Sequence, residues 1–70
     1  MKTSTIKLTK RQWEVLRMRC VKRMSPKAIA DELYISKRTV DFHLVELFAR
    51  LNVNSVDQLA LAAQAHGLID

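Results

Sequence analysis

Arg38, Asp41, Phe42 and Val45 are the residues of this chain whose types and spacing best suit recognition of another molecule. At about 3.6 residues per turn they fall, with Ala49, on one side of a single helix. Val40, Leu44, Leu47 and Leu51 fall on the other side as a continuous apolar seam. A guanidinium donates a rigid fork of hydrogen bonds, a carboxylate accepts them, and phenylalanine and valine offer apolar contact. An outward face with an arginine, an acid and an unburied phenylalanine is unusual for a merely solvated helix, so it is a candidate reading surface. At the start of the same helix Thr39 brings a hydroxyl and Lys37 a charge, beside backbone N–H groups that already favour anions.

Catalytic chemistry is not legible. Cys20 is the only cysteine, which excludes an internal disulfide and a multi-cysteine metal site. In a helical apolar pattern it reads as a small core residue. His43 lies at the edge of the apolar seam and is expected to be packed and hydrogen-bonded. His66 stands at the far end of the chain, so no ligand spacing or nucleophile–base pairing emerges. The expectation is a protein that is not an enzyme and needs no cofactor.

Four helices must position these residues. Thr9 and Gln12 form a T-x-x-Q capping box, with Leu8 as a staple residue, for a first helix from Lys10 to about Lys22. Trp13, Leu16 and Cys20 share one side of it, Trp13 as a core residue, and Met24 closes behind. Ser25-Pro26 starts a second helix carrying Ile29, Ala30 and Leu33. Ser36 caps a third helix that continues to about Leu51. Ser55 and Gln58 form a second capping box, for a fourth helix ending near His66-Gly67. Residues 1–7 lack periodicity and read as a flexible arm, and 8–70 as a single all-α domain. Ala30, Tyr34 and Val40 have the spacing of a helix-turn-helix: a small residue for close approach, a turn position, and an apolar anchor.

Charge is distributed unevenly. All 12 basic residues lie at or before Arg50 with 5 acids, whereas residues 51–70 carry 2 acids and no base. A basic body points to an anionic partner met by the first three-quarters of the chain. There is no signal-peptide pattern and no apolar run long enough to cross a bilayer, so cytoplasmic residence without a membrane partner is the default.

Leu8-Thr9-Lys10-Arg11, Glu14-Val15-Leu16, Ser25-Pro26-Lys27-Ala28-Ile29-Ala30, and Ile35-Ser36-Lys37-Arg38-Thr39-Val40 with His43 together resemble the LuxR-type (GerE-like) helix-turn-helix DNA-binding domain of bacterial transcription regulators. The likeness runs on through Phe48-Ala49-Arg50-Leu51 to Leu59-Ala60 and covers roughly residues 8–65. It implies a four-helix domain whose third helix enters the major groove and whose fourth helix mediates dimerisation.

On that resemblance Lys27 is similar to the family's phosphate-contacting lysine, and Arg38, Asp41, Phe42 and Val45 match positions that face the bases. Lys22 and Arg23, in the preceding loop, join Lys27, Lys37 and Thr39 as backbone contacts. Arg38 suits a bidentate contact to guanine, Asp41 a cytosine amino group, and Phe42 and Val45 thymine methyls. The chain departs from the pattern at three places. Many relatives have lysine where Asp41 sits. Lys22-Arg23, with one apparent extra residue, replaces a glycine near the end of helix 1, so that helix runs on or its loop bulges. Tyr34 holds a turn position where glycine is common and a positive φ is expected.

Val56, Leu59, Ala60 and Ala63 form one apolar stripe on the fourth helix, and Leu61, Ala62 and Ala65 lie largely outside it. A helix apolar nearly all round is expected to be buried on more than one side, which points to a homodimer formed through Leu61, Ala62 and Ala65. The alternative is a protein-interaction module on the same scaffold, gripping another regulator or RNA polymerase through Phe42, Val45 and Asp41. Methionine at position 1 favours a stand-alone regulator, controlled by its amount or by a partner, over a fragment of a longer one.

Overall fold

The structure is a computed structural model that describes residues 6–69. The first five residues of the expected arm, and Asp70, lie outside the described residues. Four helices follow in order: α1 (Lys10–Cys20), α2 (Pro26–Leu33), α3 (Lys37–Leu51) and α4 (Val56–Ala65). There is no strand among the described residues.

Each helix starts where a side chain can satisfy its free N–H groups. Thr9 Oγ1 accepts from the Gln12 N–H at 3.1 Å, and Gln12 Oε1 accepts from the Thr9 N–H at 3.0 Å, closing the expected capping box. Ser25 and Ser36 accept from the N–H groups of Ala28 and Thr39. The second expected box is only half formed. Ser55 accepts from the Gln58 N–H, but Gln58 Oε1 takes the N–H of Asn54 rather than that of Ser55.

The turns are left-handed at residues that are not glycine. Arg23, Tyr34 and Asn52 have φ of 57°, 59° and 57°. Helix α1 therefore stops at Cys20 instead of reaching Lys22. The Lys22 N–H donates back to the Arg17 carbonyl and the Met24 N–H to that of Met18, with Arg23 in the left-handed region between them. Tyr34 ends α2 in the expected conformation, its N–H and that of Ile35 both donating to the Ala30 carbonyl. The Tyr34 side chain packs on nothing, being 94% exposed.

α3 is the central element, packed against α1, α2 and α4. Val40, Leu44, Leu47 and Leu51 are all buried, as their spacing predicts, against Val15 and Leu16 of α1, Ile29 and Ala30 of α2, and Leu59 and Ala63 of α4. Burying each of the large aliphatic side chains contributes about 1.5–3 kcal/mol. Gly67, with φ of 74°, turns the chain after α4 so that Leu68 and Ile69 return to the core. That closing segment has too few residues to show a period.

Two further expectations are corrected. Trp13 is not a core residue. It is 42% exposed, and its neighbour Gln12 is buried in its place beside Val15 and Leu16. The core side of α4 is Leu59, Ala62 and Ala63, whereas Val56 and Ala60 line a groove facing the end of α1. Cys20 is half-buried and packs against the core.

Candidate nucleic-acid interface

α3 presents two chemically opposite sides because its sequence alternates them at helical period. Opposite the buried seam, Arg38 is exposed, and Phe42 and Val45 are each 61% exposed. Asp41 is half-buried on the same side. The four expected reading residues therefore share one accessible face, with the exposed Ala49 a turn beyond Val45.

Their electrostatics are not uniform. Lys37 Nζ lies 2.8 Å from Asp41 Oδ2, so the lysine at the helix start is already paired. Arg38 holds no ion pair among the described residues. Lys27, in the first turn of α2, is exposed and only loosely paired with Asp31 at 3.9 Å. The Thr39 hydroxyl lies 2.8 Å from the Ser36 hydroxyl, and the Thr39 N–H serves the cap. Lys22 and Arg23 are exposed in the loop after α1, and Arg23 lines the groove with Asp57 and Ala60 of α4. Near the start of α3 the cations least engaged are thus Arg38 and the loosely paired Lys27, while Arg23 stands apart, beside α4.

The residues expected at a dimer contact divide as well. Leu61 is 67% exposed and Ala65 is exposed, but Ala62 rests partly against the core.

A polar contact behind the face escapes pattern reading. Glu46 Oε1 lies 3.1 Å from His43 Nδ1 and accepts from Gln12 Nε2 at 3.2 Å. The hydrogen bond to His43, then that from Gln12, holds the Glu46 carboxyl below the usual carboxylate range. His43 is packed and hydrogen-bonded, as expected, and its ring centroid is 6.1 Å from that of Phe42. The signal available in sequence was the His43–Glu46 spacing of three at the edge of the seam. Burial raises the Cys20 thiol above its ordinary value, opposed by the charge of Arg19. No group of residues suited to a metal exists among the described residues, and none of their helices is long and apolar enough to cross a membrane.

A short helix, a left-handed turn and a longer helix with an exposed mixed face define a helix-turn-helix domain of four helices. Residues 6–63 match the family described as bacterial regulatory proteins, luxR family, and the chain belongs to that family. The chain is 39% identical over 41 residues to the transcriptional regulatory protein ComA of Bacillus subtilis (strain 168), a stretch covering 59% of this chain and 19% of that protein. Its fold is similar to that in the crystal structure of the response regulator ChrA of a heme-sensing two-component system. There the TM-score is 0.83 at 32% identity, over 90% of this chain and 31% of that one. The chain thus spans less than a third of the length of these two relatives.

Proposed function

We propose that this domain is a sequence-specific duplex-DNA-binding transcription regulator of the cytoplasm, with α3 reading the major groove and α4 pairing two copies. The observation that carries this reading is the outer face of α3. Arg38, Phe42 and Val45 project from one side, Lys27 and the start of α3 flank them, and the opposite side is fixed in the core. Arg38 suits the guanine edge, and Phe42 and Val45 suit thymine methyls. Asp41 suits a cytosine amino group once it parts from Lys37. Lys27, Lys37, Thr39, Lys22 and Arg23 are the proposed phosphate contacts, and Lys27 is more exposed than Lys37. No catalytic role is proposed.

Exposed Leu61 and Ala65, with the accessible part of Ala62, are the proposed contact between copies. Two α3 helices related by a twofold axis would meet half-sites about one helical turn apart. The test is selection of bound duplexes from a random library, followed by footprinting. An inverted repeat is expected, and Leu61→Glu is expected to protect one half-site poorly while remaining folded. Recovery of no preferred sequence, or of an unpaired half-site protected equally by both proteins, would contradict this reading.

A second reading is supported by the amount of apolar surface at Phe42 and Val45. In it the same face grips a protein, either another regulator or RNA polymerase. Phosphate contacts make affinity fall steeply with salt, and an apolar protein contact does not.

A further inference from the structure

Gln12 is the one buried polar side chain among the described residues, at 6% exposure. Its amide is used at both ends. Oε1 accepts from the Thr9 N–H at the start of α1, and Nε2 donates to Glu46 of α3. The same Glu46 oxygen meets His43 Nδ1, and the His43 ring lies beside Phe42 with the planes tilted by 55°. One contact thus runs from the first turn of α1, through the middle of α3, to a side chain on the proposed reading face.

Val15 and Leu16 of α1 also enter the core that the α3 seam shares. Packing against α1, α2 and α4 places α3, and a directional polar contact adds a preference among small rotations of the helix about its own axis. The Gln12–Glu46 hydrogen bond, at 3.2 Å, is directional, and its acceptor is a carboxylate. On a helix of about 10–12 Å overall diameter, a rotation of about 20° carries side-chain tips through roughly 2 Å. A shift of that size breaks a bidentate contact from Arg38 to a base edge. A lysine on its flexible stem follows a phosphate through the same shift.

We infer that Gln12 and Glu46 are positioning residues that fix the rotation of α3, and so set discrimination between DNA sequences rather than affinity for duplex as such. This rests on the DNA-binding reading above. Neither residue touches DNA in it; both act through the aim of Arg38, Phe42 and Val45.

The chemistry of the pair supplies its own rescue. In Gln12→Glu the new carboxylate can still accept from the Thr9 N–H, so the cap of α1 survives, but it faces the Glu46 carboxylate. In the double variant Q12E/E46Q the amide is on α3. Its NH2 group takes the place of the shared Glu46 oxygen, one N–H donating to the carboxylate now on α1 and the other to His43 Nδ1 in the tautomer that accepts there. The contact is restored with donor and acceptor exchanged.

The experiment measures binding of the 70-residue chain to a random-sequence duplex and to a duplex enriched from a random library by the unsubstituted protein. Circular dichroism confirms that each variant is folded. The ratio of the two affinities is expected to fall about tenfold or more in Q12E, with random-duplex affinity changed by no more than about threefold, and to recover within about threefold in Q12E/E46Q. A folded Q12E with an undiminished ratio overturns the proposal, as does a folded double variant that fails to recover. If the unsubstituted chain binds no duplex, the DNA-binding reading falls first and this inference with it, an outcome visible before any variant is made.

Discussion

Lys37 and Asp41 form a 2.8 Å ion pair one helical turn apart on the outer face of α3, both partly exposed. An exposed pair of this kind contributes at most about 1 kcal/mol to stability. Its larger effect is electrostatic, because it withholds one of the cations at the helix start from a polyanion. Asp41→Asn is therefore expected to leave the unfolding midpoint nearly unchanged while strengthening binding to random duplex. The log–log salt slope should steepen by up to about 0.9, the value for one added phosphate contact. Titrations at several salt concentrations check this. An unchanged slope would show that Lys37 already reaches phosphate in the complex despite its pair.

Tyr34 sits in the left-handed region with its ring 94% exposed. The conformation costs a non-glycine residue about 1–2 kcal/mol, and glycine forfeits about 0.5–1 kcal/mol in chain entropy. Since the ring packs on nothing, Tyr34→Gly is expected to stabilise the fold by about 0.5–1 kcal/mol, which urea denaturation resolves. A loss of stability would mean that the phenol ring makes a contact in solution.

Glu46 is held below the ordinary carboxylate range by His43 and Gln12. The unfolded chain then takes up the proton more readily than the folded one. The stability linked to Glu46 is complete above the ordinary glutamate value of about 4.3 and is lost as pH falls through the lower folded value. Urea midpoints followed from neutral to acid pH should decline less steeply in that window for Glu46→Gln than for the unsubstituted chain. Parallel profiles would remove Glu46 from the acid response.

Burial of Cys20 raises its thiol, which lowers the thiolate fraction at neutral pH. Alkylation by iodoacetamide is expected to be slower in the native chain than in the chain unfolded by urea at the same pH. Equal rates would place the thiol in open solvent.

Much of this fold was legible in the sequence because its helix starts are local events. The serine and threonine caps, and the four-residue seam of α3, follow from spacing alone. What spacing could not assign was the rotation of α1. Trp13 and Gln12 are adjacent, and hydrophobicity alone puts the tryptophan inside. The structure instead buries the glutamine, whose amide is satisfied at Thr9 and Glu46, and leaves the indole outside with the Arg17 guanidinium 5.3 Å from its centre. A buried polar group is tolerated when it is fully hydrogen-bonded, and that condition depends on a partner 34 residues away. The inner side of α4 is not fixed by spacing for a similar reason. Ala60 and Ala62 are chemically alike, and spacing does not decide which rests against the core. On the candidate face, the accessibility of Arg38, Phe42 and Val45 was legible, and the pairing of Lys37 with Asp41 follows from their i,i+4 spacing.

The most direct test of the central claim is fluorescence anisotropy of a labelled random-sequence duplex, titrated with the chain at low and near-physiological salt, with Lys27→Ala and Arg38→Ala alongside. Affinity is expected to fall steeply with salt and to be weaker in each variant, with the salt slope reduced by about one contact's worth in Lys27→Ala, the phosphate-contact variant. Absence of binding at low salt by folded protein would contradict the account and leave Phe42 and Val45 as the surface on which to seek a protein partner.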